Sequence, residues 1–463
     1  LLRYTAHGTD WEQVAVIRTL NLITVILLGV TSTTALSADS KASLVLRNGQ
    51  ILTVEESLGT VQALAIEGHQ ILAVGTDEEV SAHIGEETQV IDLGGRFAMP
   101  GFIEGHGHFL GLGETRQILD LSEMSSWEGI VQLVAAAANE SEPGEWIRGF
   151  GWHQDKWLSR PESSVEGVPR NEALNTAAPD NPVLLQHASG HAAMANQAAL
   201  ARAGIGDLTA DPDGGTIVRD DNGKATGLLR ETAQRLVGNE FAADEAKRKP
   251  AQIERSMRER VKLAAAEALA NGVTSFQDAG TSFGDIDFLK RLENEGQLPV
   301  RLYVMVRFES NEVMAEKLAE YRMPYEPNDY LVVRSIKRQV DGALGAHGAW
   351  LLEPYVDLPE STGLVLEPIS DIQRTAELAL QHDYQLNTHA IGDRANREIL
   401  DLYQEAFIAA DSNGETHRWR MEHAQHIDPT DIPRFAELGV IASMQGVHAT
   451  SDGPWLPSRL GQE

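Results

Sequence analysis

Cysteine is absent from this 463-residue chain. Its absence excludes a disulfide scaffold, a zinc ribbon, a cysteine-ligated iron–sulfur centre and a cysteine nucleophile. Any metal would therefore be bound mainly by histidine and carboxylate side chains. Basic residues are also scarce, because 38 Lys and Arg face 68 Asp and Glu, which gives a formal net charge of −30. A surface this acidic repels phosphate backbones, so the composition argues against nucleic-acid binding.

Apolar residues are frequent but form no long uninterrupted run. Hydrophobic residues make up 42% of the chain and charged residues 23%, which is typical of a globular protein with a core. The length fits one large barrel-type domain with a smaller companion, or two or three ordinary domains. A homo-oligomer is compatible with this composition.

The N-terminal region has the layout of a secretory signal peptide. Arg18 precedes an apolar run at residues 20–30, and Ala35 and Ser37 give the small-x-small spacing of a cleavage site. The run is too short and too interrupted for a stable membrane span. We therefore expect residues 1–38 to be a signal peptide, and the mature protein to be periplasmic or extracellular. An N-terminal anchor or a buried helix is the alternative.

The pattern of apolar and polar residues changes twice after this region. Residues 43–99 predict a small N-terminal β-sandwich domain, because alternating apolar residues are interrupted by turns such as Asn48-Gly49. From residue 100 onwards, helical patterns lead repeatedly into short apolar strands, as in ERVKLAAAEALANGVTSFQDAG. This rhythm indicates parallel β/α units over residues 100–463, with an insertion at about 110–250.

A His-Gly-His motif occurs where the β-domain gives way to the β/α units. His106 and His108 are two residues apart, so in a strand both rings point to the same side and can reach one metal ion. Gly105 and Gly107 allow close approach of the backbone. Taken alone, the motif fits a polar patch on one strand better than a metal site.

Other polar residues are predicted at the carboxyl ends of strands, which is the active-site face of a parallel barrel. They are Asp278, Lys337, Asp341, His389 and His423. Singly, each histidine also fits a hydrogen-bonded core position. Together with the His-Gly-His motif, the histidines supply four imidazoles, a donor set that suits zinc or a similar divalent metal.

Lys337 needs a separate explanation. Strand alternation places Lys337 and Asp341 on one side and Arg338 on the other. A lysine that faces a barrel interior is costly unless it is paired or chemically converted, and a Schiff-base lysine is one such conversion. A solvated surface lysine is the alternative.

Five segments together resemble the amidohydrolase superfamily, specifically its amidohydrolase-3 or YtcJ-like group. They are MPGFIEGHGH, IKRQVDGALGAHGAW, NTHAIGDRAN, MEHAQHI and SMQGVHATSD. The resemblance runs from about residue 43 to the end of the sequence. It implies a (β/α)8 TIM-type barrel that holds one or two divalent metals, zinc being expected, with a carboxylated lysine. The ligands that it implies are His106, His108, Lys337, His389 and His423.

The resemblance also exposes a gap near the end of the sequence. The family carries a catalytic Asp in a Gly-Ser-Asp segment at the end of strand 8, and this sequence contains no such segment after its Met-Gln strand. We therefore expect the last barrel strand to be missing and the catalytic Asp to lie beyond residue 463. Asp452 is a substitute, although its place in a loop fits substrate contact better.

The function expected from these features is metal-assisted hydrolysis of non-peptide carbon–nitrogen bonds in an N-acyl, formamide or cyclic amide substrate. His191 and Asp341 are candidates for substrate binding. Alternatively, His187 and His191 make local structural hydrogen bonds, and Asp341 orients Lys337 or caps the next helix.

Two other functions are compatible with the sequence. An exported binding protein could retain an inactive barrel of this kind. A metal-free lyase could use Lys337 as a Schiff base.

Overall fold

The computed structural model describes residues 40–461 except for a few positions, namely 160, 162, 163, 166, 324, 327, 328 and 455. The predicted signal peptide, residues 1–38, lies outside the described residues. The described chain divides into two compact units, with the boundary between Met99 and Pro100. No helix among the described residues combines the length and the apolar character needed to cross a bilayer.

The smaller unit contains two sheets and one short helix. Its strands are β1 (Leu44–Arg47), β2 (Gln50–Leu52), β3 (Thr60–Val61), β4 (Ala63–Glu67), β5 (Gln70–Gly75), β6 (Gln89–Asp92) and β7 (Phe97–Ala98). The sheet orders are β5-β4-β1-β6 and β3-β2-β7. The helix, α1 (Asp77–Ser81), begins with a capping box between Thr76 and Glu79. Val45, Ala63 and Val80 lie in the unit's small core, so the predicted N-terminal β region is present.

The larger unit opens with β8 (Phe102–Gly107) and α2 (Phe109–Thr115), and then carries an inserted sheet. The inserted strands are β9 (Leu119–Asp120), β10 (Ile147–Trp152), β11 (Ser164–Val165), β12 (Val168–Pro169), β13 (Val183–His187), β14 (Ala192–Ala195), β15 (Gly215–Arg219) and β16 (Ala225–Glu231). Six of them form one sheet in the order β15-β16-β14-β13-β10-β9. The helices of this region are α3 (Trp127–Glu140), α4 (Glu172–Ala177), α5 (Gln197–Arg202) and α6 (Gln234–Glu245).

The remaining strands complete a nearly closed parallel barrel sheet. They are β17 (Val273–Thr281), β18 (Arg301–Val306), β19 (Leu331–Gln339), β20 (Gln385–Ala390), β21 (Arg420–His423) and β22 (Ile441–Ser443). The seven strands lie in the order β22-β21-β20-β19-β18-β17-β8, and every neighbouring pair is parallel. This sheet confirms the predicted TIM-type barrel with its last strand missing from the described residues.

Helices between these strands cover the outside of the barrel. They are α7 (Pro250–Ala270), α8 (Phe283–Asn294), α9 (Asn311–Tyr321), α10 (Ile369–Gln381), α11 (Asp393–Ala409), α12 (Gly414–His417) and α13 (Ile432–Glu437), whereas α14 (Val447–Ser451) and α15 (Leu456–Leu460) follow β22. Gly272 after α7 and Gly439 after α13 have φ values of 75° and 65°. These left-handed residues end the helices, as the sequence predicted, because glycine adopts that conformation without strain.

Candidate active site

The structure brings the five predicted metal ligands together at the carboxyl ends of four barrel strands. His106 lies in β8 with His108 just after it, Lys337 in β19, His389 in β20 and His423 at the end of β21. The ring centroid of His423 is 4.6 Å from that of His106 and 4.5 Å from that of His389. The rings of His106 and His108 are 5.9 Å apart. Residues from strands that are far apart in sequence therefore form one cluster.

The outward contacts of neighbouring residues show which side chains face the barrel interior. Arg338 donates a 2.7 Å hydrogen bond to Thr375 of α10, so it points outwards and the adjacent Lys337 points inwards. In β20, Thr388 is hydrogen-bonded to Tyr403 of α11 at 2.7 Å. The residues on either side of Thr388 therefore face the interior. Strand alternation predicted this orientation for Lys337.

Most of the cluster is shielded from solvent, since Lys337 and His389 are buried and His106 and His423 are half-buried, whereas His108 is exposed at its edge. Burial, followed by the positive charge of Lys337, lowers the pKa of His106 to about 4. Burial is also the main reason that the pKa values of His389 and His423 lie well below the ordinary histidine value. Burial lowers the pKa of Lys337 to about 7. Neutral imidazole is the form that binds a metal, so these lowered pKa values favour metal binding by the cluster.

Glu422 is a site residue that the sequence analysis missed. Its carboxylate accepts a short hydrogen bond from Nδ1 of His106 and a 2.9 Å bond from the Ser443 hydroxyl, and Nε of Arg420 is 2.6 Å away. Burial raises the pKa of this carboxyl, but the His106 hydrogen bond and the charge of Lys337 outweigh it and lower the pKa to about 2. A carboxylate on Nδ1 fixes the ring and leaves Nε2 for a metal.

The position of His423 depends on an unusual backbone conformation. Arg420 and Glu422 both contact residues of the barrel interior, so strict alternation would turn His423 outwards. His423 and Ala424 instead have positive φ values of 74° and 42°. This conformation is rare for residues with a side chain, and it brings the His423 ring back to the cluster. Nδ1 of His423 is hydrogen-bonded to Gln445 at 2.6 Å.

Asp341 orders two loops at the mouth of the barrel. Its fully buried carboxylate accepts backbone N–H bonds from Trp350, Ile391 and Gly392, at 2.9, 3.0 and 2.8 Å. Burial raises the pKa of Asp341 to about 7 against the effect of these bonds. Oδ1 also lies 3.4 Å from Nε2 of His389. The carboxylate thus fixes the backbone where α11 begins, and its contact with a substrate stays a prediction.

His191 reaches the cluster from the inserted sheet. Its Nδ1 is hydrogen-bonded to Glu231 at 2.8 Å, and its ring centroid is 5.8 Å from that of His389. Glu231, which the sequence analysis also missed, has a left-handed φ of 47° and stands at the end of β16. By contrast, His187 contacts Gln154 at 3.1 Å within the insertion. The geometry separates the two histidines, which the sequence could not do.

Asp452 is connected to the cluster through His448. Its Oδ2 accepts a 2.7 Å hydrogen bond from Gln425 and lies 3.5 Å from Nδ1 of His448. Nε2 of His448 is in turn 3.4 Å from Nδ1 of His423. His448 was not among the predicted site residues, although its position after the Met-Gln strand is visible in the sequence. A substitute catalytic role for Asp452 stays a prediction.

The donor atoms fit a divalent metal by their chemistry. Nδ1 of His106 and of His423 are both bonded to oxygen atoms, which leaves each Nε2 as a donor. Nε2 of His389 is buried and makes no hydrogen bond to the described residues. In the part of the chain that the structure describes, no three His, Asp or Glu side chains are spaced around one metal position.

The fold and this cluster have the arrangement of a barrel enzyme, in which ionisable groups gather at the carboxyl ends of the parallel strands. The model of the amidohydrolase family matches residues 89–463. The chain belongs to that family.

Individual relatives agree with this assignment. The chain is 31% identical to the protein LONG AFTER FAR-RED 3 of Arabidopsis thaliana, over 91% of this chain and 71% of the relative. It is 31% identical to the putative amidohydrolase YtcJ of Bacillus subtilis (strain 168), over 90% and 75%. It is 28% identical to an N-substituted formamide deformylase of Arthrobacter pascens, over 86% and 71%.

A solved structure supports the fold. The crystal structure of an uncharacterized metal-dependent hydrolase from Pyrococcus furiosus is similar with a TM-score of 0.66 and 27% identity. The similarity covers 90% of this chain and 80% of that one. The barrel that the sequence predicted is therefore shared with a metal-dependent hydrolase.

Proposed function

We propose that this protein is a metal-dependent hydrolase that breaks the carbon–nitrogen bond of small, non-peptide amides. The observation that carries the proposal is the cluster of four imidazoles and the buried Lys337 at the carboxyl ends of the barrel strands. A relative named as an N-substituted formamide deformylase supports an amide-type substrate. An N-acyl, formamide or cyclic amide compound is the proposed substrate class.

The proposed ligands are His106, His108, Lys337, His389 and His423. They would hold one or two divalent ions, and the nitrogen-rich donor set favours zinc. A bound ion of this kind would lower the pKa of a water molecule to about 7 and polarise a carbonyl group. Carboxylation of Lys337 would convert a buried cation into an anionic ligand, which removes the cost of burying an unpaired ammonium.

Residues around the ligands would orient the site and handle protons. Glu422 fixes the ring of His106, so that Nε2 keeps one direction. His191, held by Glu231, lies beside the cluster and would contact the substrate. The leaving nitrogen must gain a proton, and His448, next to Asp452, is a second imidazole within reach of the cluster.

Metal analysis of purified protein tests the proposal. We expect zinc in at least stoichiometric amount in the wild type, and its loss in His106→Ala and in Lys337→Ala. His417→Ala is the matched control, because His417 lies in α12 and stacks on Phe407, away from the cluster. Wild-type metal content in both cluster variants would show that the proposed ligands are wrong.

Hydrolysis should be followed with N-butylformamide, by measuring release of the amine. The wild type should lose its activity after dialysis against a chelator and regain it when zinc is added. Activity that persists in the metal-depleted protein would contradict metal assistance.

One observation favours a second function. A buried lysine whose pKa is lowered to about 7 is a good nucleophile for a carbonyl carbon. A Schiff-base lyase would be trapped irreversibly by borohydride in the presence of pyruvate, with the added mass on Lys337. Stoichiometric zinc without trapping would exclude it.

A further inference from the structure

Asn387 is a buried amide whose hydrogen-bonding groups are both unmet. The residue lies in β20 and has no exposed surface. Neither Oδ1 nor Nδ2 makes a hydrogen bond with any of the described residues. An unmet buried polar group destabilises the folded state, and this side chain carries two. Such a residue calls for a partner that offers a donor and an acceptor together.

Lys337 is the reactive side chain that lies beside Asn387 on the neighbouring strand. Asn387 and Lys337 are register partners in the parallel strands β20 and β19. Both face the barrel interior, because their neighbours Thr388 and Arg338 bond to the surrounding helices. Neighbouring strands are about 4.8 Å apart, so the two side chains enter the interior next to each other. Asn387 also stands two residues before His389, on the same side of the strand.

We propose that Asn387 is a positioning residue that binds the carbamate formed when Lys337 takes up carbon dioxide. The inference rests on the proposed function, which includes carboxylation of that lysine. In the step, the unprotonated amine of Lys337 forms a nitrogen–carbon bond with carbon dioxide. One carbon–oxygen π bond breaks to give a carboxylate oxygen, and the amine releases one proton to solvent. Nothing is oxidised or reduced.

The two groups are complementary atom by atom. A carbamate keeps one N–H beside a carboxylate oxygen, and a carboxamide presents an oxygen beside an N–H. The carbamate N–H can donate to Oδ1 of Asn387 while Nδ2 donates to the carbamate oxygen. Both unmet groups are then satisfied at once. The unmodified lysine presents a single nitrogen atom, so it cannot meet Oδ1 and Nδ2 at two adjacent atoms as the carbamate does.

Carbon-13 NMR of the full chain with its zinc, incubated in labelled bicarbonate, tests the proposal. The carbamate resonance is assigned by its loss in Lys337→Ala. We expect Asn387→Leu to need about tenfold more bicarbonate for half-occupancy, because it lacks the hydrogen bonds to a charged group. Thr388→Val is the matched control, since it removes a buried hydrogen bond to Tyr403 on the opposite face, and its half-occupancy should stay at the wild-type value.

A second variant covers the case in which Asn387→Leu does not fold. Asn387→Asp keeps the size of the side chain but lacks the donor and adds negative charge, so it should also weaken carbamate formation. In both Asn387 variants the metal content, measured in parallel, should fall together with the occupancy of the carbamate.

Two outcomes would overturn the inference, and each would contradict a different part of it. Wild-type half-occupancy in Asn387→Leu and Asn387→Asp would leave carboxylation intact and remove the role of Asn387. A wild type without any Lys337-dependent resonance would contradict carboxylation itself, and with it this part of the proposed function.

Discussion

The two faces of the barrel strands are buried alike but carry opposite chemistry. Many outward residues of β19, β20 and β21 are apolar and lie in the hydrophobic core, as in Ile336, Leu386 and Met421, although Arg338 and Thr388 are polar. Inward residues near the carboxyl ends are polar or ionisable, as in Lys337, Asn387 and Glu422. Apolar burial stabilises the fold, whereas buried charge destabilises it unless it is paired or bound. The outer face should therefore govern stability and the inner face metal binding.

The largest effect is expected from Trp419→Ala on the outer face. Trp419 is fully buried, and its ring lies 4.8 Å from those of Tyr403 and Phe407. Its removal leaves a cavity, so the free energy of unfolding should fall by about 3–5 kcal/mol, measured by chemical denaturation. Zinc per folded chain should not change.

Trp419→Phe is the control for this substitution, because it retains an aromatic ring and should cost clearly less. Loss of zinc from folded Trp419→Ala protein would show that the two faces are not independent.

A smaller loss of stability is expected from Arg338→Lys, also on the outer face. Arg338 binds Thr375 and Asn311 at 2.7 and 2.9 Å and so connects β19 to two helices. A lysine cannot reproduce this forked geometry, and the free energy of unfolding should fall by about 1–2 kcal/mol. Metal content should stay at the wild-type level. A drop in zinc comparable to that of Lys337→Ala would contradict the assignment of these adjacent residues to opposite faces.

Lys337→Met tests the inner face, where a substitution should abolish metal binding and leave the stability of the metal-free protein nearly unchanged. Methionine fills a similar volume without charge, so the stability of the metal-free protein should stay within about 1 kcal/mol of the wild type or rise. Zinc binding should be lost. A fall in metal-free stability as large as that of Trp419→Ala would mean that Lys337 supports the fold itself.

The sequence predicted the parts of the site that follow from local periodicity. The His-Gly-His spacing placed His106 and His108 on one side of a strand, and alternation separated Lys337 from Arg338. The structure has both features. The barrel was predictable for the same reason, since helix stops such as Gly272 are local signals.

The remaining parts depend on tertiary structure. Glu422 pairs with His106, which is 316 residues away in sequence, so no local pattern connects them. His423 reaches the cluster through a positive φ that strand periodicity does not predict. Glu231 meets His191 only because the inserted sheet brings two distant segments together. Buried partners of this kind are set by packing, which a single sequence does not display.

The smallest effect on the free energy of unfolding is expected from Asp278→Asn. This substitution tests a buried carboxyl group near the end of β17. Burial raises the pKa of Asp278 above its ordinary value of 3.8, against hydrogen bonds from Thr281 and from the backbone of Phe109. The folded state therefore favours the protonated, neutral carboxyl. Asparagine is neutral at every pH and keeps an oxygen that can accept the Phe109 N–H.

The sign of the pH dependence follows from this shift. Because the pKa of Asp278 is higher in the folded state, its stabilising contribution is complete below the ordinary value of 3.8 and is lost as pH rises through the folded value. The amide of the variant does not titrate and has no such loss. The free energy of unfolding of Asp278→Asn should thus improve relative to the wild type as the pH rises above the ordinary value of 3.8. A difference that is constant or declines over this range would show that Asp278 is ionised in the folded protein and stabilised by its partners.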